Sequence, residues 1–261
     1  MRSLTEIAPG VFVATSSYAL TTTTLVAGSS GSGGCLLIDP AVTVAELAAL
    51  AASLRALGLR PAAAWSTHPH WDHVLWDAEL GDAPRYAAPA AVIAAETERN
   101  GILAGVQQDA PGHDLSLVGL LRPLDASTVP WDGPRAELVV HDGHAPGHGA
   151  VFLPGAGVLV AGDMCSDVEI PLLDTLAADP LGDYLTGLER LAAVPGVRQV
   201  IPGHGHVGEA GEFRRRLALD SAYLDAIAAG NPSRDPRLED CADWLRVTHE
   251  EQVRYFWPRP V

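Results

Sequence analysis

Short runs of apolar and β-branched residues, separated by turn-forming residues, recur in both halves of the chain. Val11–Thr15, Thr22–Ala27 and Cys35–Ile38 have this composition and are separated by Gly and Ser, which favours strands joined by turns. Val158–Ala161 and Gln199–Ile201 repeat the pattern further along the chain. The pattern therefore predicts strands in each half of the molecule.

Helical spacing of Leu and Ala marks three further segments: Thr43–Leu57, Leu181–Ala193 and Phe213–Ala229. Residues 91–121 start as a helix-like stretch, but several Gly and Pro residues break the pattern, so we interpret this segment as an insertion over the site. For residues 231–261 we predict a C-terminal helical extension. We expect one domain over residues 1–261.

The densest polar cluster follows a short apolar strand and reads Thr-His-Pro-His-Trp-Asp-His. Pro69 disfavours a helix, and in an extended chain His68, His70 and Asp72 would share one face. His73 follows directly. Neutral imidazoles beside a carboxylate are ligands for a divalent metal ion. Three of the ten histidines lie within these six positions, which argues against a chance surface cluster.

This order, His-X-His-X-Asp-His after a strand, resembles the signature of the metallo-β-lactamase superfamily. Three later segments also resemble motifs of that family: the turn from His144 to His148, Gly162-Asp163 at a strand end, and Pro202-Gly-His204. The resemblance covers most of the chain. It implies an α/β fold, the four-layer αβ/βα sandwich in which two sheets pack face to face between helices.

The resemblance also implies a site for two metal ions. It assigns three residues to the first ion (His68, His70 and His148), three to the second (Asp72, His73 and His204) and one bridging residue (Asp163). His144 would then be a structural residue or a support for the ligands. Asp39, after the third strand, would orient the metal-binding histidines. The same carboxylate also suits the N-terminal end of the following helix, and both roles can hold together.

Five imidazoles and two carboxylates favour zinc, with iron or manganese as the alternatives. By the resemblance, a hydroxide bridging two such ions would attack the substrate, and Asp72 would orient this nucleophile as well as bind metal. The leaving group needs a proton donor. Tyr184 is the candidate, because related lactonases use a Tyr that follows the bridging Asp; the alternative is that Tyr184 packs on its helix.

The implied function is the hydrolysis of a small acyl substrate, that is an ester, a lactone or a thioester. The basic residues that handle glutathione in glyoxalase-type relatives are not recognisable. The alternatives are β-lactam hydrolysis, cleavage of a small phosphodiester, an iron-dependent redox reaction and a binding protein that retains the fold. The expected partner is a small-molecule substrate.

Composition narrows the choice of partners. The formal net charge is −15 and every basic residue other than histidine is Arg, which disfavours nucleic acid as a partner and excludes Lys-dependent chemistry. The three cysteines are far apart and form no disulfide framework. The first residues lack the pattern of a signal peptide, and no apolar run is long enough for a membrane span. We therefore expect a cytoplasmic protein.

Overall fold

The computed structural model describes residues 4–28, 33–230 and 234–257. The remaining residues, including parts of the predicted C-terminal extension, lie outside the described ranges. Within these ranges the chain forms twelve strands: β1 (Thr5–Ala8), β2 (Val11–Thr15), β3 (Thr22–Ala27), β4 (Gly34–Ile38), β5 (Arg60–Trp65), β6 (Arg85–Ala87), β7 (Arg122–Pro123), β8 (Glu137–His141), β9 (His148–Leu153), β10 (Val158–Gly162), β11 (Gln199–Pro202) and β12 (Gly208–Glu209). It also forms six α-helices: α1 (Val44–Ala56), α2 (Pro89–Thr97), α3 (Arg99–Asp109), α4 (Pro180–Ala192), α5 (Ala210–Ala228) and α6 (Asp243–Phe256).

The strands form two sheets. The first contains β1 to β7 in chain order, with antiparallel pairing from β1 to β4 and parallel pairing from β4 to β7. The second has the order β12-β11-β10-β9-β8, and its only parallel pair among these described strands is β10 with β11. Parallel neighbours bring the carboxyl ends of their strands to the same edge of a sheet, where functional side chains can converge.

Alternation along β4 explains why the first sheet is covered on both faces. Leu36 and Ile38 pack between the two sheets, whereas Cys35 and Leu37 pack on the opposite face with Leu47 of α1. The second sheet has the same arrangement, because a separate cluster lies between it and helices α4, α5 and α6. The result is helix, sheet, sheet, helix, and the expected αβ/βα sandwich is confirmed.

Helix α1 begins as the sequence predicts. The Thr43 hydroxyl accepts the backbone N–H of Glu46, and the Glu46 carboxylate accepts the backbone N–H of Thr43, which is a capping box. The buried Glu46 carboxylate also accepts hydrogen bonds from Ser16 and Ser17, so it connects the end of β2 to the helix.

Two local expectations were wrong. The chain does not stay extended through Asp72: it turns after β5 and forms a short 3-10 helix at Trp71–His73, with the N–H of His73 donating to the carbonyl of His70. Segment 91–121 is also more regular than its Gly residues predict, since α3 runs through Gly101 and Gly105. A Cβ at Gly105 would lie 2.8 Å from the Trp71 ring, so the glycine allows α3 to pack against that ring.

No helix in the described ranges is long and apolar enough to cross a bilayer. Helix α6 lies within the predicted C-terminal extension. Its buried residues, Leu245 and Gln252, face the cluster beside the second sheet and the loop that follows β10. The C-terminal segment therefore packs on the same layer as α4 and α5 and contacts the loop beside the site.

Candidate metal centre

Histidine and aspartate side chains converge where strands of the two sheets end. Their ligand atoms fall into two groups, and within each group all the atoms lie within 4.8 Å of one another. The first group is His68, His70, His144 and Asp163, and the second is Asp72, His73 and His204. Six of the seven ligands expected from the sequence are therefore brought together, and His144 takes the remaining place.

Asp163 lies between the two groups, because it is the first residue after β10 and points into the gap between the sheets. Its Oδ2 is 3.3 Å from Nε2 of His68 in the first group and 3.3 Å from Nε2 of His204 in the second. Its Oδ1 is 3.2 Å from Nε2 of His73. One carboxylate thus contacts both groups, which is the position of a bridging ligand between two cations.

The two histidines of the turn before β9 occupy the opposite positions from those expected. Nε2 of His144 lies 3.0 Å from Nδ1 of His70 and 3.4 Å from Oδ2 of Asp163, so His144 faces the centre. His148 is the first residue of β9, and its Nε2 accepts the backbone N–H of Asp163 at 3.2 Å. Gly162 makes room for this ring, since a Cβ there would lie 2.4 Å from it. His148 therefore binds the backbone of the bridging residue, Asp163, and is not part of either ligand group.

A network around Asp39 fixes two of the imidazole rings. The Asp39 carboxylate accepts the backbone N–H of Thr67 at 2.8 Å and its hydroxyl at 2.6 Å, and Oδ2 lies 3.0 Å from Nδ1 of His73. Because the Thr67 hydroxyl donates to Asp39, its oxygen accepts from Nδ1–H of His68 at 3.0 Å. With Nδ1 as the donor in both rings, Nε2 of His68 and of His73 is the nitrogen directed at Asp163.

Backbone carbonyls orient the other two rings in the same way. Nδ1 of His144 lies 2.9 Å from the carbonyl oxygen of Leu172, and Nδ1 of His204 lies 3.0 Å from that of Ala19. A carbonyl can only accept, so each Nδ1 carries a proton and Nε2 is the atom left for the centre. In all four rings Nε2 is therefore the nitrogen that would bind a metal ion.

Two buried atoms in this centre lack hydrogen-bond partners among the described residues, namely Nε2 of His68 and Oδ1 of Asp163. Buried polar atoms without a partner are costly, and a cation between the groups would satisfy both of these atoms. The donor set is also chemically suited to a cation, because it combines imidazole nitrogens with carboxylate oxygens. The residues of the centre fit two divalent ions.

Burial keeps His68 and His70 neutral. It lowers the pKa of His68 well below its usual value and that of His70 to about 3, so both rings are available as ligands at neutral pH. In the second group, burial also lowers the pKa of His73, but the neighbouring carboxylates, led by Asp163, outweigh it and raise the pKa to about 9. This part of the centre carries an excess of negative charge that attracts positive charge.

A cavity of about 750 Å³ opens over the centre, and His70, Asp72, His144, Asp163 and His204 form part of its lining. Six apolar or aromatic residues form other parts of the wall: Trp71, Ile102, Pro146, Leu172, Leu176 and Trp244. Three further carboxylic acids line it: Glu98, Glu169 and Asp174. A pocket of this size and composition suits a small organic molecule.

The structure places Tyr184 away from this cavity. It is 1% exposed and lies in the cluster between the second sheet and α5, and it does not line the cavity. Burial raises the pKa of its hydroxyl well above the usual value. Of the two interpretations of Tyr184, its position agrees with packing and not with proton donation.

Sequence reasoning did not identify Thr67, Glu169 or Gln252. Thr67 had a local signal, because it is a polar residue between a buried strand and the first ligand histidine. Glu169 is buried, with Oε1 3.7 Å from Nδ1 of His204, and Gln252 holds a loop of the cavity from α6. These two come from distant parts of the chain, and no local pattern marks them.

The model of the family described as the metallo-beta-lactamase superfamily matches residues 19–224. The chain belongs to the metallo-β-lactamase superfamily. Within this superfamily, a hydroxyacylglutathione hydrolase from Rhodobacter capsulatus is 31% identical over 181 residues. That match covers 66% of this chain and 60% of the relative, so the chain spans less than two thirds of the relative's length.

Solved structures of the superfamily have the same fold. A β-lactamase domain protein from Burkholderia ambifaria aligns with a TM-score of 0.68 and 22% identity, over 87% of this chain and 78% of that one. A protein crystallised in a di-iron-bound form aligns with a TM-score of 0.60 and 28% identity, over 79% of this chain and 98% of that one. The metallo-β-lactamase fold thus extends over most of this chain.

Proposed function

We propose that this protein is a metal-dependent hydrolase of small acyl compounds, with thioesters first and esters and lactones next. The observation that carries the proposal is the pair of ligand groups joined by Asp163 at the floor of a cavity whose wall is partly apolar. The similarity to a hydroxyacylglutathione hydrolase supports an acyl substrate. The size of the cavity supports a small molecule and not a nucleic acid.

In this proposal two divalent ions bind at the centre. His68, His70 and His144 would hold the first ion, Asp72, His73 and His204 would hold the second, and Asp163 contacts residues of both groups. This assignment gives His144 the role that the sequence analysis gave to His148. Zinc remains the first choice for the donor set, and the di-iron form of a similar protein keeps iron as an alternative beside manganese.

The ions would lower the pKa of a bound water to about 7 and would stabilise negative charge that develops on the acyl oxygen. The chain's own residues would supply orientation. Asp72 lines the cavity and would accept a hydrogen bond from the attacking water. Asp39, Thr67 and the carbonyl of Leu172 would keep the imidazole rings in place, and the apolar wall would hold the acyl group and exclude bulk water.

A substrate panel tests the proposal: an aryl ester, several lactones, a thioester, a β-lactam and a phosphodiester, each assayed with and without a chelator. We expect turnover of the acyl substrates that a chelator abolishes and zinc restores. Preference for the phosphodiester would overturn the substrate class. Absence of turnover in protein shown by elemental analysis to hold two ions would overturn the hydrolase proposal.

Asp72→Asn provides a matched test of the centre. We expect loss of turnover and a lower metal content, because the variant removes a negatively charged ligand. Asp82→Asn is the control, since Asp82 is exposed and does not line this cavity. Full turnover by Asp72→Asn would contradict the assignment.

A further inference from the structure

We propose that the cavity selects acyl substrates without a negative charge, and that Glu169 binds a hydrogen-bond donor or cationic group of the substrate. The inference rests on the proposed function and adds the class of substrate to it. Three features of the cavity carry it: the acidic side chains in its wall, the lack of a hydrogen bond to the Glu169 carboxylate from the described residues, and the direction of the neighbouring arginines.

The charged side chains of the wall have one sign. Besides the residues assigned to the metal ions, the cavity is lined by Glu98, Glu169 and Asp174. Among the described residues that line it there is no Arg, and the chain has no Lys. Asp72 and Asp163 would be ligands of the metal ions, whereas no Arg in the wall pairs with Glu98, Glu169 or Asp174. A carboxylate on the substrate would meet repulsion here.

Glu169 is the carboxylate best placed to bind the substrate. Its side chain is 8% exposed, and no hydrogen bond from any described residue reaches its carboxylate oxygens. Its nearest basic neighbour is Nδ1 of His204 at 3.7 Å, but that nitrogen is already used by the carbonyl oxygen of Ala19 at 3.0 Å. The Glu169 side chain lines the cavity, so a ligand bound there can supply the hydrogen-bond donor that its carboxylate lacks.

Arginines near the cavity are turned away from it. Arg99 follows Glu98 directly, yet its guanidinium donates to the backbone carbonyls of Val118 and Leu115. Arg237 is buried and donates to Asp220 and Asp235, 2.6 and 2.7 Å away. Neither guanidinium lines the cavity to bind an anion, so the acidic character of the wall is not neutralised by these residues.

Aromatic rings complete a site for a positively charged or neutral head group. Trp71 and Trp244 line the same cavity as the three carboxylates, and indole faces attract alkylammonium groups. Leu176, which is 88% exposed, and Ile102 add apolar surface for an acyl chain. The wall thus combines aromatic, apolar and anionic surface.

The test compares three butyryl thioesters that differ only in the thiol: 3-mercaptopropionate (anionic), N-acetylcysteamine (neutral) and thiocholine (cationic). The zinc-loaded protein is used, and thiol release is measured. We expect kcat/KM for the anionic ester to be about tenfold or more below that for the neutral one, with the cationic ester at least equal to the neutral one. The differences should shrink as salt is added, because screening weakens them.

Two variants assign the effect to the cavity. Glu98→Gln/Asp174→Asn should raise the anionic-to-neutral ratio of kcat/KM severalfold, and Glu169→Gln should lower the cationic-to-neutral ratio. Glu96→Gln/Asp125→Asn is the control: it removes the same two charges at exposed positions that do not line the cavity, and it should leave both ratios unchanged. The metal content of every variant is measured to exclude an indirect effect on the centre.

The outcomes separate the two proposals. Turnover of all three esters at similar kcat/KM would overturn the charge selection and leave the hydrolase proposal standing. A change of the ratios in the control variant as large as in the cavity variants would also overturn it. Failure of the metal-loaded protein to cleave any of the three, together with failure on the wider acyl panel, would overturn the hydrolase proposal and the inference with it.

Discussion

Nε2 of His144 lies 3.0 Å from Nδ1 of His70, and this contact brings the turn before β9 to the centre formed by the strand ends of the first sheet. The second histidine of that turn, His148, instead accepts the backbone N–H of Asp163. The turn therefore supplies one side chain that faces the cavity and another that supports the residue between the two ligand groups.

Asp39→Asn should weaken metal binding without removing a ligand. Asp39 faces Nδ1 of His73 and accepts both hydrogen bonds of Thr67, and an amide cannot accept all of them. We expect affinity for the second ion to fall about 10- to 100-fold, as measured by competition with a chromogenic chelator. Asp82→Asn, at an exposed position, is the control. Unchanged affinity would show that Asp39 acts only at the start of α1.

Tyr184→Phe should leave kcat and KM of acyl hydrolysis within about twofold of the wild type. The hydroxyl is enclosed in the core beside the second sheet, and Tyr184 does not line the cavity. Steady-state kinetics at equal metal content provide the measurement, with the melting temperature as a check on folding. A large fall in kcat with the metal content and melting temperature unchanged would restore Tyr184 as the proton donor.

Most of the fold could be predicted from the sequence, because the information is local. Continuous runs of apolar and β-branched residues mark strands such as β3 and β4, and helical spacing with the cap at Thr43 marks α1. The positions of His68, Asp163 and His204 were also predictable, because each lies within a few residues after a recognisable strand. The family motifs at these strand ends gave the expected order of the ligand residues along the chain.

The rest depends on packing between distant segments. His144 and His148 lie in one turn, and only the contact of β9 with Asp163 decides which ring faces the cavity. Glu169 follows no motif, because it reaches the centre through the loop after β10. The reason for a glycine at position 105 of α3 is the Trp71 ring packed against it, and Trp71 is more than thirty residues away in the chain. No local pattern contains these contacts.

Gln252→Leu should destabilise the protein and raise KM. Gln252 is buried in α6, where its amide accepts the N–H of Leu173 at 2.6 Å and donates to the carbonyl of Pro171 at 3.1 Å. The same loop holds His144 through the carbonyl of Leu172. Leaving these buried groups unpaired should cost about 1–3 kcal/mol of unfolding free energy and loosen the cavity wall.

Urea denaturation and steady-state kinetics measure both effects. Gln108→Leu is the matched control, because Gln108 is exposed on α3 and does not line the cavity. Equal stability of Gln252→Leu and the wild type would contradict the proposal that Gln252 holds the loop at Pro171 and Leu173. Loss of stability with KM unchanged would confine Gln252 to a structural role.

His141→Phe should reduce the loss of stability in acid. His141 is buried and stacks on His148 with ring centroids 4.7 Å apart, and neither ring nitrogen has a hydrogen-bond partner among the described residues. Burial lowers its pKa from 6.5 to about 4. As the pH falls from 6.5 towards 4, the unfolded state takes up a proton that the folded state does not, so stability falls.

The variant removes this difference in proton uptake. In metal-free protein, the stability lost between pH 7 and pH 4 should be smaller in His141→Phe by at most about 3 kcal/mol. Chemical denaturation at a series of pH values measures it, and the other buried histidines act as an internal control because both proteins share them. Identical pH dependence would mean that His141 does not stay neutral in the folded protein.

The position of the metal ions tests the central claim most directly. Crystals of the zinc-loaded protein, measured at the zinc absorption edge, would locate each ion in an anomalous difference map. The account predicts two peaks, the first beside His68, His70 and His144, the second beside Asp72, His73 and His204, with Asp163 between them. A peak bound by His148 in place of His144, or no peak at this centre, would contradict it.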